Sequence, residues 1–134
     1  MAVQMTKSQL IEKIGDQEVA PDPGKRVISP EVAAEVRTML EGVLAPGGTA
    51  SEVSVPGYTL AGKTGTAQIA TEDGYSDSQY VASFMGIAPA QNPAVAISVI
   101  VNQPQNGHVG GEVAAPAFGE LASFVLPYLG VPTE

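Results

Sequence analysis

Lys63 stands in the run Gly62-Lys63-Thr64-Gly65-Thr66, where one cation lies beside two hydroxyls and two residues without side chains. Such a set can hold and polarise an anionic group, and two chemistries compete for it. With Gly57 the run satisfies G-x-x-x-x-G-K-T, the phosphate-cradling loop, which needs a strand before it and a helix opening at the Lys-Thr pair. Here the context is wrong. Tyr58-Thr59-Leu60-Ala61 reads as strand where a loop is needed, Gly65 follows in place of a helix, and the apolar run ending at Val101 leads to Asn102, which is not a Mg²⁺-holding Asp. Read instead as a strand, the same residues place Lys63 next to the Thr64 and Thr66 hydroxyls while Gly65 leaves room for a close approach. A strand edge offers N–H and C=O groups to an extended peptide, the hydroxyls can hold a carboxylate, and Lys63 adds positive potential where acyl transfer develops negative charge.

Other chemistry is scarce. The chain has no Cys and one His, so it has no disulfide, no thiolate nucleophile and no set of residues for a zinc site; neither a metal nor a cofactor is expected. His108 lies in a glycine-rich loop without partner carboxylates and reads as an ordinary exposed imidazole. Glu72-Asp73 reads as a solvated loop tip. A formal net charge of −8 argues against nucleic acid as a partner. The stretch Ala94–Val101 is far shorter than the roughly 20 apolar residues needed to span a bilayer, so any anchoring or targeting segment lies outside this chain.

The elements that must position Lys63 can be read from periodicity. With 134 residues, 44% of them hydrophobic, the chain suffices for one domain with a real core. Residues 1–28 read as short strands and loop, with an apolar opening at Leu10, Ile11 and Ile14, Asp16-Gln17-Glu18 after it, and a turn-rich linker at Pro21-Asp22-Pro23-Gly24. Ser29 as N-cap, Pro30 at the first helical position and Glu31 in the first turn open a helix. Its apolar stripe of Val32, Val36, Met39, Leu40, Val43 and Leu44 predicts a span of 30–44, stopped by Pro46-Gly47-Gly48. An extended strand over Tyr58–Ile69 follows. A polar loop from Thr71 to Gln79 then leads to a hairpin of two buried, near-continuous apolar strands, Tyr80–Ile87 and Ala94–Val101. Val113, Ala117, Leu121, Phe124 and Val125 have helical spacing and predict a closing helix over one face of the sheet, with Pro116 in its first turn and Pro127 at its end. The fold class is α+β, of the α/β sandwich type, an antiparallel sheet flanked by helices. Residues 29–130 form the structured part and 131–134 a tail.

The stretch Val55-Pro56-Gly57-Tyr58 through Gly62-Lys63-Thr64-Gly65-Thr66-Ala67-Gln68 is similar to the Lys-Thr-Gly strand of class B penicillin-binding proteins. Ser83-Phe84-Met85-Gly86-Ile87-Ala88-Pro89-Ala90-Gln91-Asn92-Pro93 resembles that family's next strand and turn. Gly110-Gly111-Glu112-Val113-Ala114-Ala115-Pro116-Ala117-Phe118 resembles its closing loop and helix, and Gly48-Thr49-Ala50 fits as well. The likeness runs over about residues 24–130, with several weak motifs in the family's order. It implies the C-terminal portion of the penicillin-binding-protein and serine β-lactamase-like fold. It also implies a D,D-transpeptidase, a serine acyl-transferase that cross-links peptidoglycan stem peptides and is acylated by β-lactams at the outer face of the bacterial membrane. On that resemblance Lys63 hydrogen-bonds toward a catalytic serine and assists its proton transfers. Thr64 and Thr66 bind the carboxylate of substrate or β-lactam, Gly65 lets it come close, and the Thr66 N–H is one oxyanion donor.

Two of the family's motifs are absent from these residues. Lys7, Lys13, Lys25 and Lys63 are preceded at three residues by Gln4, Leu10, Asp22 and Leu60, so no Ser-x-x-Lys exists. Asn92, Asn102 and Asn106 are preceded at two residues by Ala90, Ile100 and Pro104, so no Ser-x-Asn exists. The nucleophile and its base are expected upstream, and this piece alone is expected to be inactive. Without the rest of its domain it should expose apolar surface and an unpaired edge, and so either self-associate or be completed by the missing N-terminal part. The alternative is a non-catalytic binding or assembly module of the same fold.

Overall fold

The computed structural model describes residues 25–72 and 74–134, together with the backbone of residues 13–14 and 17–18. The expected apolar opening at Leu10 and Ile11, the linker at Pro21–Gly24, and Asp73 lie outside the described residues. Two compact units are present, residues 1–35 and 36–134. In the first, β1 (Lys13–Ile14) and β2 (Gln17–Glu18) pair antiparallel.

Helix α1 (Pro30–Glu41) starts as its sequence dictates. The Ser29 hydroxyl accepts the Val32 N–H at 3.3 Å, which satisfies one of the orphan donors of the first turn. The same hydroxyl, with backbone N–H and Arg26 charge in support, holds the Glu31 carboxyl below the ordinary carboxylate range. The helix ends three residues before the expected 44. Gly42, Val43 and Leu44 bond back only three residues, to Met39, Leu40 and Glu41, so the chain tightens into turns once Gly42 enters.

Residues 36–134 are built on a meander of β3 (Ala61–Thr71), β4 (Gly74–Ala88) and β5 (Val95–Asn102), all antiparallel in the order β3-β4-β5. Strand β4 begins well before the expected Tyr80. Ala70 faces Tyr75 and Thr71 faces Gly74, whose φ of 124° closes a tight turn that side chains rarely allow. This far end of the ribbon is solvated on both faces, so its polar residues carry no alternation and read as loop. After β5, a single turn α2 (Gly110–Val113) leads to α3 (Ala115–Tyr128). Pro127 lies inside the last turn of α3, one residue before its end, where the missing N–H removes one hydrogen bond and does not stop the helix.

Helix α3 covers one face of the sheet. Phe84 of β4 and Phe118 of α3 meet with ring centroids 4.9 Å apart at 44°, and with Leu126 they are the largest fully buried side chains. Ala50, Val53, Val55 and Leu60 complete this core from the preceding turns. The strands of the hairpin are not buried throughout, as their composition suggests. In β5, Val95, Ile97, Val99 and Val101 are half-buried, while Ala96, Ser98 and Ile100 point to solvent. Helix α3 does not reach that second face, where Leu40 of α1 meets the end of the sheet near Ala61, Ile87 and Ala96.

The end of the chain anchors the start of β3. The Tyr58 hydroxyl donates to the Val131 carbonyl at 2.7 Å, the Glu134 N–H to the Gly57 carbonyl at 2.9 Å, and the Thr59 N–H to the Glu134 carboxylate at 2.9 Å.

Candidate functional site

Lys63, Thr64, Gly65 and Thr66 lie in mid-strand in β3, so no helix opens at Lys63 and the phosphate-loop reading has no structural basis. Their backbone directions follow from the ladder. The Gln103 N–H donates to the Tyr80 carbonyl at 2.9 Å, just beyond the last paired rung of β5. In an antiparallel ladder a residue's N–H and C=O point to the same neighbour, and successive residues alternate. The even-numbered residues of β4 therefore bond to β5, and Val81, Ser83, Met85 and Ile87 bond to β3. Their partners Ala67, Gly65, Lys63 and Ala61 turn toward β4. Gly62, Thr64, Thr66 and Gln68 are left with N–H and C=O on the edge that no strand pairs with among the described residues. The backbone groups of both threonines thus face outward, with Lys63 beside them.

The side chains converge on this edge. Lys63 is exposed and folds its ammonium onto the Thr64 carbonyl at 2.8 Å, coming within 3.5 Å of the Thr64 hydroxyl. An ammonium has three protons, so this contact leaves others for an incoming acceptor. The Thr66 hydroxyl accepts the Gly110 N–H at 3.1 Å. With a lone pair already engaged, its own proton is free to donate outward. The Thr64 and Thr49 hydroxyl oxygens are 3.0 Å apart, an interaction in which one must donate to the other. The arrangement can bind an anion at Lys63 and the two hydroxyls, and can pair an extended chain along the edge.

Several of these contacts were invisible to sequence reasoning. Gly110 and Gly111 read only as a closing loop, yet they seat α2 directly on the site. A Cβ on Gly110 would strike the Ser83 and Gly65 carbonyl oxygens, and one on Gly111 the Thr49 carbonyl oxygen. The signal available was the glycine pair itself, which marks close backbone approach. Thr49 carried no signal, because a turn threonine can face any direction. His108 is exposed, as expected, but it also stacks on Tyr80 with ring centroids 4.5 Å apart. No group of three or more His, Cys, Asp or Glu that could hold a metal occurs among the described residues.

Comparison with known proteins identifies the family. Residues 2–123 match the family described as the penicillin binding protein transpeptidase domain. The chain is 41% identical over 120 residues to the probable peptidoglycan D,D-transpeptidase PenA of Neisseria gonorrhoeae, covering 88% of this chain and 20% of that protein. It is 39% identical over 115 residues to the peptidoglycan D,D-transpeptidase FtsI of Escherichia coli K12, covering 85% of this chain and again 20% of the relative. Among solved structures, the apo transpeptidase domain of Burkholderia pseudomallei penicillin-binding protein 3 superposes with a TM-score of 0.76 at 44% identity, covering 91% of this chain and 37% of that one. Penicillin-binding protein 3 of Mycobacterium tuberculosis, solved with ampicillin, gives 0.74 at 34% identity, covering 87% and 28%. The chain spans about a fifth of the length of the curated relatives it matches.

Proposed function

Because the chain belongs to the penicillin-binding protein transpeptidase family, we propose that it forms the C-terminal part of a serine D,D-transpeptidase domain and supplies the wall against which acyl transfer takes place. Residues 29–130 are that part of the domain. The observation that carries this reading is the open edge of β3, where two threonine hydroxyls, the outward Thr66 N–H and the Lys63 ammonium share one stretch of the strand. A stem peptide or β-lactam lies along the edge with its carboxylate on the Thr64 and Thr66 hydroxyls. Gly65 adds no side chain in the way. A serine from the part of the domain outside this chain attacks the scissile carbonyl, and the oxygen that becomes negative is met by the Thr66 N–H. Lys63 directs its unused protons to the neighbouring groups that pass the serine's proton to the departing amine, or to the opened β-lactam nitrogen. An acceptor amine on a second stem peptide then takes the acyl group and completes the cross-link.

The domain acts outside the cytoplasmic membrane. No described helix is long and apolar enough to cross a membrane. Alone, the 134-residue piece is inactive and needs a partner surface, either a second copy or the rest of the domain.

The test is intact mass after incubation with benzylpenicillin. The chain alone should keep its mass, while the complete domain should gain one penicilloyl group on a serine outside it. In the complete domain Lys63→Ala should slow acylation by about 100-fold or more, the scale of losing a positioned electrostatic group. A stoichiometric adduct on the chain alone would place an activated serine inside it and end this account.

A further inference from the structure

Lys63 lies on the face of the sheet that α3 does not cover, beside its cross-strand neighbours Met85 and Ser98. The packing of its own strand does little to hold it there. From Ala61 to Ala67 the strand has no apolar side chain larger than alanine, and one of its edges is unpaired among the described residues. A strand so rich in glycine and so poor in apolar side chains is weakly held by its own pattern. Its place in the fold therefore rests on the β4 ladder and on its start, where Leu60 and Ala61 are buried.

At that start the ladder runs out. Ala61 faces Ile87, so the continued register brings Thr59 opposite Pro89, one residue past the end of β4. A proline has no N–H to donate. The Thr59 carbonyl accepts the Ala90 N–H instead, at 2.7 Å. On its other side the Thr59 N–H donates to the Glu134 carboxylate at 2.9 Å, and the Thr59 hydroxyl donates to the same oxygen. The segment around Glu134 is fitted closely here. Its N–H donates to the Gly57 carbonyl, the Tyr58 hydroxyl donates to the Val131 carbonyl, and a Cβ on Gly57 would strike the Thr133 side chain. Resting on the acyl-transfer reading above, we propose that Glu134 is a positioning residue for that reaction, its carboxylate supplying the rung that β4 cannot. An ionised acceptor suits the place, because it binds an N–H more strongly than a neutral carbonyl does. Ala61 and Lys63 both bond to β4, so a strand that opens at Thr59 loses Ala61 next and Lys63 after it. The ammonium and the outward Thr66 N–H then lose their common frame.

The test compares Glu134→Ala, which removes the acceptor, with Glu134→Gln, which keeps an acceptor oxygen of the same reach. In the 134-residue chain, amide exchange at Thr59, Ala61 and Lys63 should be about tenfold faster in Glu134→Ala, and close to that of the unsubstituted chain in Glu134→Gln. The Phe84 amide, which bonds to β5, should keep its protection in both. Equal loss at Phe84 would mean that the carboxylate holds the whole fold and not this strand. No change at Ala61 and Lys63 would mean that it does not hold the strand. Either result overturns the proposal. In the complete domain the acylation rate at saturating benzylpenicillin should fall about tenfold for Glu134→Ala and stay within about twofold for Glu134→Gln, since a small misplacement at a site is costly even when its cause is remote. An unchanged rate in Glu134→Ala would sink the positioning role. If the unsubstituted complete domain takes no penicilloyl group, the acyl-transfer reading is what fails, and the exchange pattern still decides whether Glu134 holds β3.

Discussion

Beneath helix α3 the sheet has no room, whereas on the Lys63 face it has room to spare, and the glycines of the two faces register the contrast. On the covered face a Cβ on Gly62 would land on the Phe84 ring and one on Gly86 on the Phe118 ring. On the open face a Cβ on Gly65 would meet only the Ser83 hydroxyl, at 2.5 Å, and a hydroxyl can rotate away. The same strands therefore do two jobs. One side is locked against a helix so that the β3 edge keeps its shape, and on the other Met85 and Ile100 are exposed. Rigidity behind the strand is what allows exposed side chains such as Lys63 and Thr66 to hold a defined geometry without being buried.

The largest effect expected from this contrast is Phe118→Ala. Removing a fully buried ring that packs at a tilt against Phe84 should lower the chain's unfolding free energy by about 3–5 kcal/mol in urea titration. A loss near that of a surface substitution would mean that α3 does not lock the sheet. Gly86→Ala comes next, at about 1–3 kcal/mol, because the ring it strikes is held on all sides. Gly65→Ala should cost clearly less in the same titration. If the two glycines cost the same, the faces do not differ as described.

The sequence carried the covered face well and the open face poorly, for a physical reason. Val95-Ala96-Ile97-Ser98-Val99-Ile100-Val101 looks like a strand buried on both sides, since Ala96 and Ile100 are as apolar as their neighbours. Composition registers what a face is suited to meet, and it does not tell the exposed Ile100 from the half-buried Val99 and Val101. Lys63, Thr64, Gly65 and Thr66 were legible because four residue types in a fixed order constrain one strand. Thr49 was not, since its approach to Thr64 depends on how the turn after α1 folds over the sheet. The short reach of α1 was hidden too, because Val43 and Leu44 continue the apolar stripe beyond the point where the hydrogen bonds change to turns.

At the seam between the faces, Thr66→Val removes the acceptor of the Gly110 N–H while keeping the side chain's shape. Thr66 is exposed and water can replace the lost partner, so the stability cost should be about 1 kcal/mol or less. Amide exchange is the sharper measurement. The Gly110 amide should exchange faster in the variant, while the amides of Phe84 and Phe118 keep their protection. Unchanged exchange at Gly110 would mean that α2 is held on β3 by the close contacts of Gly110 and Gly111 alone.

The smallest effect should come from Ile100→Thr. In a covered strand, exchanging an isoleucine for a threonine removes buried apolar area and adds a hydroxyl that needs a partner. Ile100 is 63% exposed here, threonine is as β-branched as isoleucine, and the hydroxyl would face water. The chain's unfolding free energy should therefore change by no more than about 0.5 kcal/mol. A loss of about 2 kcal/mol or more, the size expected for burying a large aliphatic side chain, would show that Ile100 is covered in solution and that the open face is already occupied by another copy. On the proposed completion of the chain by the rest of its domain, the same substitution in the complete domain should cost more than in the chain, and equal losses would mean that Ile100 stays uncovered there.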